Sequence, residues 1–348
     1  MNKISVIIVG YNSRVWLPGC FSSLAAQTHR DFEIIFVDNG SRDDSLDFIR
    51  ANYPETIIIE NHSNSGFAGG NNLGLPKVSG DYIFLFSPDA KASPTLLADL
   101  LKAYEEIPQL GCVQPKLIFM HEPDKLDSCG SYFTWTGFLK HIGNFGPADL
   151  PEHNKSFPAF GLKGAAMMFK TEMVQKAGGL FDNDYWCYFE ETDFCVRVWL
   201  AGYQCWYYPR AVAWHAIGGS TGSFVRDYTV QYHSFKNRLA TYLKTLSLGT
   251  LIRLIPVYLA FNFGLVIFFL LIGQYYNSYA VIKALYYNLI HLPATLRKRK
   301  EIQTKVRRVV DKEFLGPVTA QLGLDFKNLV KTAVALIRYE RDKRKPCV

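Results

Sequence analysis

Apolar and polar positions follow one another in blocks along the first ninety residues, and the blocks have the lengths of strands and helices. Four mainly apolar runs are typical of strands covered on both faces, at residues 6–9, 32–37, 56–60 and 81–86. A helical stretch after the first strand runs through Leu24, and Ser41 can cap the helix that follows the second. The pattern predicts an α/β fold with a doubly wound, mostly parallel sheet.

Polar side chains stand where three of these strands end. Asn12 comes just after the first strand, Asp38 after the second and Asp89 after the fourth. Because ligands of such sheets bind at the carboxyl ends of the strands, we expect these residues along one edge.

A glycine-rich segment, residues 64–74, lies between the third and fourth strands. It does not follow the first strand, so it is not the dinucleotide-binding fingerprint. Two interpretations remain open for it. Its glycines and asparagines can approach a diphosphate, or they can form a helix that needs small residues to pack on the sheet.

Three carboxylates lie within four positions at Glu190, Glu191 and Asp193, and His215 follows further along the chain. Clustered like charges cost free energy, which favours a metal, a cationic partner or a proton-transfer role. The alternative is a solvated helix start, where acidic side chains suit the positive end of the helix dipole. A further possibility for Asp193 is a local ion pair with Arg197, one helical turn later.

The later part of the chain is expected to divide in two. After a less regular region at 110–180, the pattern predicts a strand within 161–169, a helix at 192–200 and an amphipathic helix at 231–244. We therefore expect one α/β domain over residues 1–240 and a hydrophobic and basic helical region over residues 241–348.

The second region favours a membrane as its partner. No charged residue lies between Leu254 and Ile282, and twenty helical residues cover about the thickness of a bilayer core. Residues 291–348 hold 15 Lys and Arg against 6 Asp and Glu, a net charge of +9, whereas residues 1–290 carry −2. A basic tail suits nucleic acid or an anionic membrane, but the apolar segment before it favours the membrane and no nucleic acid is expected.

How this region meets the membrane has three interpretations. A single span would place the basic tail outside, against the charge bias of cytoplasmic loops, so a shallow hairpin or paired spans at the inner leaflet is favoured. A single span and a buried dimerisation core, as in a homodimer, are the alternatives. Apolar and basic positions at 326–341 also predict an amphipathic interfacial helix.

Composition excludes some other classes. Hydrophobic residues make up 49% of the chain, which is incompatible with wholesale disorder. The cysteines are odd in number, seven, and scattered, so they indicate reduced cytosolic thiols rather than a disulfide framework. The spacing is too wide for a zinc knuckle at Cys187, Cys195, Cys205 and His215.

Taken in order, several short motifs resemble those of family 2 glycosyltransferases. They are residues 9–12, 37–41, 66–72, 87–89, 181–182 and 188–197, followed by His215. The resemblance covers roughly residues 3–240 and is closest to the rhamnosyltransferase-like branch. It implies the A-type glycosyltransferase fold, which is the nucleotide-diphospho-sugar transferase fold. It also implies an inverting, metal-dependent transfer of a sugar from a nucleotide diphosphate donor.

The same resemblance implies roles for individual residues at the donor. Asp38 would accept a hydrogen bond from the pyrimidine imide, and Asp89 would bind Mg²⁺ or Mn²⁺. His215 would complete the metal or diphosphate site, although a plain hydrogen bond beside Trp214 is the simpler alternative for it. The whole set expected around the donor is Val9, Tyr11, Asn12, Asp38, Asn39, Gly66, Phe67, Asn71, Ser87 and Asp89.

For catalysis, the resemblance implies that Glu191 is the base that takes the proton of the acceptor hydroxyl. Glu190 and Asp193 are reserve candidates for the base, or residues that orient it. Two positions depart from the usual family motif, since Ser87 replaces an Asp or Asn and Glu191 replaces an Asp.

The expected partners are a nucleotide diphosphate sugar, with dTDP-rhamnose first and UDP-hexoses next, and a polyprenyl-diphosphate-linked or polysaccharide acceptor. The expected location is the cytoplasmic face of the plasma membrane, peripheral or integral. A sugar-1-phosphate nucleotidyltransferase is disfavoured because no glycine-rich loop with a basic residue follows the first strand. A non-catalytic membrane protein that binds a nucleotide sugar or a glycan is the third hypothesis.

Overall fold

The computed structural model describes residues 2–216 and 228–320; the amphipathic helix expected at 326–341 lies outside them. The strands are β1 (Ile4–Gly10), β2 (Phe32–Asp38), β3 (Ile57–Glu60), β4 (Tyr82–Phe86), β5 (Ala90–Ala92), β6 (Leu110–Phe119), β7 (Leu126–Ser128), β8 (Ser131–Tyr132), β9 (Lys140–His141), β10 (Phe157–Pro158), β11 (Ala166–Lys170) and β12 (Gln204–His215). The α-helices are α1 (Leu17–Ala25), α2 (Ser45–Asn52), α3 (Gly66–Gly74), α4 (Leu96–Glu106), α5 (Glu172–Lys176), α6 (Glu190–Leu200), α7 (Tyr228–Thr245), α8 (Leu248–Leu271), α9 (Tyr275–Ile290), α10 (Leu292–Glu301) and α11 (Asp311–Val318).

The main sheet is mixed. Its strand order is β10-β12-β6-β11-β4-β1-β2-β3, with β5 on β12 and β7 on β6. The pairs β4–β1, β1–β2 and β2–β3 are parallel, as expected for doubly wound topology. The strand β11 is antiparallel to both of its neighbours, β4 and β6. The α/β sheet predicted from the sequence is therefore confirmed, with an antiparallel strand inserted at its centre.

Both faces of the sheet are covered, which explains why the central strands are apolar at successive positions. Side chains of a strand alternate between the faces. In β1, Ile7 joins the cluster that contains Phe194 of α6, whereas Ile8 joins the cluster that contains Phe21 of α1. The glycine-rich segment forms α3 on the first of these faces.

Close packing accounts for the small residues of α3. A Cβ atom at Gly70 would lie 2.5 Å from a side-chain carbon of Val9, and one at Gly74 would lie 3.0 Å from Ile7. The helical interpretation of this segment is confirmed, and an approach of its first residues to a diphosphate stays a prediction.

The C-terminal helices pack on the sheet domain and on one another. The helix α7 contacts α6, and it also contacts α9 and α10. The domain boundary expected at residue 240 lies within this helix. Ion pairs fix α10 to the loop before α6, because Lys298 Nζ lies 2.5 Å from Asp182 Oδ1 and 2.6 Å from Asp184 Oδ2.

One described helix, α8, is long and apolar enough to cross a membrane by length and composition alone. Its buried residues follow one face along the helix and are Leu251, Leu254, Tyr258, Asn262 and Phe269. The opposite face is exposed, and its large apolar residues are Leu248, Ile252, Val257, Leu259, Phe263, Ile267, Leu270 and Leu271.

Candidate active site

The ends of β1 and β2 form a small polar pocket around Asp38. This residue is buried, and its Oδ2 accepts the backbone N–H of Ser41 at 3.2 Å. Its Oδ1 has no hydrogen-bond partner among the described residues. Asn12 lies beside it. The backbone N–H of Asn12 donates to Ser41 Oγ at 2.9 Å, and its Oδ1 accepts the backbone N–H of Arg42 at 2.8 Å. A buried acceptor without a donor costs free energy, so Asp38 Oδ1 is ready for a ligand N–H.

Asn39 connects this pocket to the start of α3. Its Nδ2 donates to the carbonyl of Gly66 at 3.0 Å and to Asn64 Oδ1 at 3.1 Å. Its Oδ1 accepts from Asn61 Nδ2 at 2.9 Å and from the N–H and hydroxyl of Ser65. With both ends of the amide engaged, Asn39 holds the loop that begins α3.

The first turn of α3 meets the loop that precedes α6. Gly66 has a φ of +72°, and a Cβ there would lie 2.0 Å from the carbonyl oxygen of Trp186. The same carbonyl accepts the N–H of Ala68 at 3.2 Å. Asn71 Nδ2 donates to the carbonyl of Phe67 at 2.8 Å, within the helix.

Val9 and Tyr11 lie on either side of the turn after β1. Val9 is half-buried against Gly70. The side chain of Tyr11 is 40% exposed at the edge of the sheet, so its ring is available to a ligand.

Three strand ends bring Asp89, His215 and Asp127 together. Ala90 in β5 pairs with His215 in β12, and the N–H of Ala216 donates to the carbonyl of Asp89 at 3.0 Å. The strands β12 and β7 both pair with β6, which places Asp127 on the other side of the imidazole. As a result, His215 Nε2 lies 3.2 Å from Asp89 Oδ1, and Nδ1 lies 2.8 Å from Asp127 Oδ2.

The charges in this group support one another. Burial opposes the ionised forms, but the hydrogen bonds of His215 hold the pKa of Asp89 and of Asp127 below their ordinary values. Burial likewise disfavours a charged His215, and the two carboxylates still raise the pKa of its imidazole. The hydroxyl of Ser87 donates to Asp89, and the ammonium of Lys163 pairs with Asp127.

Asp89 and His215 fit a divalent cation in one respect that the geometry shows directly. Adjacent ligands of an octahedral cation with bonds of about 2.1 Å are roughly 3 Å apart, close to the 3.2 Å between Nε2 and Oδ1. Asp127 meets the usual requirement that a ligating histidine have its other nitrogen hydrogen-bonded. No group of three or more His, Cys, Asp or Glu within residues 2–216 and 228–320 is arranged to hold a metal.

A short segment before β11, residues 163–165, connects the group formed by Asp89, His215 and Asp127 to the acidic residues at the start of α6. Lys163 pairs with Asp127, and the carbonyl of Ala165 accepts the N–H of Ser87 at 2.8 Å. Between them, a Cβ at Gly164 would lie 3.7 Å from the Cβ of Glu191. Three successive residues therefore lie against Asp127 beside His215, against Glu191 and against Ser87.

The acids begin α6 from a strained turn. Tyr188 and Phe189 both have left-handed backbone conformations, with φ of 64° and 75°, which non-glycine residues rarely adopt. Asn237 of α7 holds this turn by donating to the carbonyls of Cys187 and Tyr188 at 2.9 and 2.6 Å. Such strain persists where surrounding contacts enforce it, often at functional sites.

Glu190 is buried and Glu191 is half-buried, and the buried Oε2 atom of each has no hydrogen-bond partner in the described structure. Burial raises the pKa of Glu191 to about 7. Burial and the neighbouring Glu191 raise the pKa of Glu190 well above its ordinary value. Near neutral pH, Glu191 can therefore exchange a proton.

Asp193 has a different environment. Its Oδ2 lies 2.8 Å from Arg197 Nε, and its Oδ1 lies 3.1 Å from Lys244 Nζ and 3.1 Å from Thr241 Oγ1. Burial alone would raise the pKa of Asp193, but the two cations hold it below its ordinary value. Both oxygens are engaged within the protein interior.

Asp127 and Lys163 were not among the residues expected from the sequence. Asp127 lies in the irregular region 110–180, and Lys163 precedes a strand that was recognised only by its apolar run. The available signals were a single aspartate within a polar stretch and a lysine followed by a glycine, which are too common to select these residues.

Comparison with known proteins identifies the class. Residues 5–163 match the family model described as Glycosyl transferase family 2. An uncharacterized glycosyltransferase of Haemophilus influenzae is 27% identical over 178 residues, covering 51% of this chain and 56% of that protein. The chain thus spans little more than half the length of that relative.

Two further comparisons extend over more of the chain. N-acetylglucosaminyl-diphospho-decaprenol L-rhamnosyltransferase of Mycobacterium tuberculosis is 24% identical over 261 residues, or 66% of this chain and 81% of that protein. The mannosyltransferase PcManGT from Pyrobaculum calidifontis, solved with GDP-Man and Mn²⁺, superposes with a TM-score of 0.52 at 15% identity. That superposition covers 96% of this chain and 80% of PcManGT, and it shows a shared fold.

The mixed sheet and the superposition on PcManGT show the A-type glycosyltransferase fold. Residues 5–163, a little under half of the chain, are similar to glycosyltransferase family 2.

Proposed function

We propose that the protein is an inverting, metal-dependent glycosyltransferase that moves a sugar from a nucleotide diphosphate donor to a lipid-linked or cell-surface glycan. The observation that carries the proposal is the pairing of Asp89 and His215 at 3.2 Å, with Asp127 holding the second ring nitrogen. Proteins prepare a histidine and a carboxylate for a divalent cation in this way.

The donor base belongs at the ends of β1 and β2. The free Oδ1 of Asp38 is suited to accept the imide N–H of uracil or thymine, beside Asn12. Tyr11 offers an exposed ring to the base or the sugar. Val9, Gly66, Phe67 and Asn71 form the wall towards α3, and Asn39 acts by holding the loop.

Asp89 and His215 would hold Mg²⁺ or Mn²⁺, leaving the other coordination positions for donor oxygens and water. When bound, the cation neutralises the charge that develops on the departing nucleoside diphosphate. The hydroxyl of Ser87 donates a hydrogen bond to Asp89. Because residue 87 is a serine, Asp89 is the one carboxylate that residues 87–89 offer to the cation.

Glu191 takes the proton of the acceptor hydroxyl. A base is most effective when its pKa lies near the working pH, and burial places that of Glu191 at about 7. Burial and the charge of Glu191 raise the pKa of Glu190 well above its ordinary value, and Glu190 is proposed to contact the acceptor in its neutral form. Asp193 is proposed to hold α6 in place, because its oxygens are already paired.

The acceptor and the location follow from the relatives and from α8. The name of the Mycobacterium relative supports a rhamnosyl donor, such as dTDP-rhamnose, and a diphospho-lipid acceptor for this chain. The exposed apolar face of α8 supports attachment to the cytoplasmic face of the membrane, with residues 1–240 as the catalytic part and 241–348 as the attachment part.

A donor panel tests the proposal. Full-length protein is incubated with Mg²⁺ or Mn²⁺ and with dTDP- or UDP-sugars, and nucleoside diphosphate release is measured with and without acceptor lipid. We expect release that disappears in Asp89→Ala and persists in Asp124→Asn, which alters an exposed carboxylate nearby. Release of pyrophosphate would indicate a nucleotidyltransferase instead, and binding without turnover would indicate a non-catalytic protein.

A further inference from the structure

A buried guanidinium close to the acidic turn lacks the partners that a buried charge normally has. Arg238, on α7, is only 9% exposed. Its Nη2 donates to Ser234 Oγ at 3.3 Å, whereas Nε and Nη1 have no hydrogen-bond partner among the described residues. By contrast, two other buried cations nearby, Arg197 and Lys244, are both paired with Asp193.

The aromatic rings around Arg238 do not replace such partners. The rings of Phe138, Phe189 and Phe235 have their centroids 4.4, 5.3 and 5.5 Å from the guanidinium carbon. Cation–π attraction recovers only part of the free energy that burying an unpaired charge costs. The ring faces also leave the N–H donors unsatisfied. Arg238 is therefore suited to an anion that arrives with a ligand.

The position of Arg238 indicates which ligand. On one side it contacts Phe189, the residue directly before Glu190 and Glu191. On the other side, the ring of Phe138 stacks on Tyr258 of α8 at 5.9 Å between centroids. The guanidinium thus lies between the proposed base and the helix that carries the exposed apolar face.

A phosphate group fits the donors that Arg238 leaves unpaired. Two of its guanidinium nitrogens, Nε and Nη1, have no hydrogen-bond partner among the described residues. The buried hydroxyl of Tyr258 lies beside the guanidinium, and no hydrogen bond joins the two groups. Arginine binds phosphate oxygens in a bidentate manner, and the diphosphate of the proposed acceptor supplies such oxygens.

From this geometry we infer that Arg238 binds the diphosphate of a lipid-linked acceptor. The acceptor hydroxyl would meet Glu191, the sugar would lie beside Phe189, the diphosphate would contact Arg238, and the apolar chain would continue towards α8. The inference rests on the proposed function for the reaction, but the anion site itself does not depend on turnover.

Binding of farnesyl diphosphate to the full-length protein tests the inference without any donor. Affinity is measured by calorimetry for wild type, Arg238→Met, Arg238→Lys and Arg253→Met. The last variant removes an exposed guanidinium of α8 and serves as the control. We expect Arg238→Met to weaken binding about tenfold to a hundredfold, since charge-assisted bonds are lost. Arg238→Lys should keep part of the affinity as a point charge, and Arg253→Met should match wild type.

Two additional probes separate the sources of the phosphate. Inorganic pyrophosphate should bind more weakly than farnesyl diphosphate, with the same dependence on Arg238. Equal affinity for the two, or a dependence on Arg238 that appears only with phosphatidylglycerol vesicles, would overturn the inference. So would unchanged farnesyl diphosphate binding in Arg238→Met and Arg238→Lys, with thermal unfolding confirming that both are folded.

The experiments test the proposed transfer reaction and the proposed anion site at Arg238 separately. If farnesyl diphosphate binds through Arg238 but no donor is turned over, the anion site stands and the proposed transferase reaction falls. If transfer occurs and Arg238→Met leaves the KM for a diphosphate-linked acceptor unchanged, the reaction stands and the site falls.

Discussion

Glu190 and Glu191 are adjacent in the chain, but their surroundings give them different proton affinities. Glu190 is buried and Glu191 is half-buried, and the charge of Glu191 disfavours ionisation of Glu190. The pKa of Glu190 lies well above its ordinary value, whereas that of Glu191 is about 7. Two carboxylates with separated pKa values can serve as one neutral donor and one base.

The pH dependence of transfer follows from the pKa of Glu191. The base acts only when ionised, so kcat/KM should rise as the pH passes through about 7 and level off above it. An unperturbed glutamate would give this rise near pH 4.3. Glu191→Gln should lower kcat by about 10²- to 10⁴-fold and remove the rise, with donor binding nearly unchanged. Full activity in this variant would transfer the role of base to Glu190 or Asp193.

A second prediction at the residue scale concerns Asp127. Asp127→Asn should raise the Mn²⁺ concentration needed for half-maximal activity by about 10- to 100-fold, because His215 loses the carboxylate that orients it. Titration of activity with Mn²⁺ measures this shift. Asp124→Asn is the matched control, and an equal shift in that variant would show that the effect is not local.

The residues proposed to act in the site differ in how well the sequence alone predicts them. Asp38 and Asp89 could be predicted because each stands at the end of a parallel strand. The roles of Asp127 and Arg238 depend on contacts with residues 88 and 49 positions away, such as His215 and Phe189. Such contacts exist only once the strands and helices are assembled, so local patterns do not contain them.

At the scale of single elements, the start of α3 is fixed by its neighbour. Gly66→Ala should destabilise the fold by about 1–2 kcal/mol for the positive φ alone, and more for the contact with the Trp186 carbonyl. Gly264→Ala, in the middle of α8 with open space around it, should leave stability unchanged or slightly higher. Urea unfolding compares the two, and similar values would contradict the packing described for α3.

The helix α6 depends on its buried ion pairs. Asp193→Asn should destabilise the protein by about 3–5 kcal/mol, because Arg197 and Lys244 lose their shared carboxylate. Glu172→Gln breaks an exposed pair with Lys176 at the same i, i+4 spacing and should cost only about 0.3–0.5 kcal/mol. Since the pKa of Asp193 is lowered in the folded state, this stabilisation should be present at neutral pH and be lost as the pH falls below about 4.

Elements themselves were largely predictable from local pattern. The four N-terminal strands and α7 were recognised from apolar runs and amphipathic spacing. Two features were not foreseen. The antiparallel direction of β11 depends on how the chain returns through residues 120–165, and the left-handed turn at Tyr188 and Phe189 has no glycine to indicate it.

At the scale of the whole molecule, the proposed membrane attachment rests on the exposed apolar face of α8. Leu259→Asp with Phe263→Asp places two charges on that face and should reduce flotation with phosphatidylglycerol vesicles by about tenfold or more. Val15→Asp is the control, because Val15 is an apolar residue before α1 that is more exposed than Leu259 or Phe263. Unchanged flotation of the double variant, or loss of a dimer instead, would favour the dimerisation alternative.

The general organisation of the molecule could be anticipated from composition, since an α/β region precedes an apolar and basic one. The contacts between these two parts could not be anticipated from composition. The pairs between Lys298 and Asp182 and Asp184 join residues more than a hundred positions apart, and they tie the attachment helices to the loop that leads to the acids.

The three residues Lys163, Gly164 and Ala165 touch the histidine group, the acidic turn and the Ser87 loop in turn. Consecutive Cα atoms are 3.8 Å apart, so this tripeptide limits the distance between Glu191 and the Asp127 that holds His215. Under the proposed function, lengthening or shortening this stretch by one residue would therefore shift the base relative to the donor and reduce transfer.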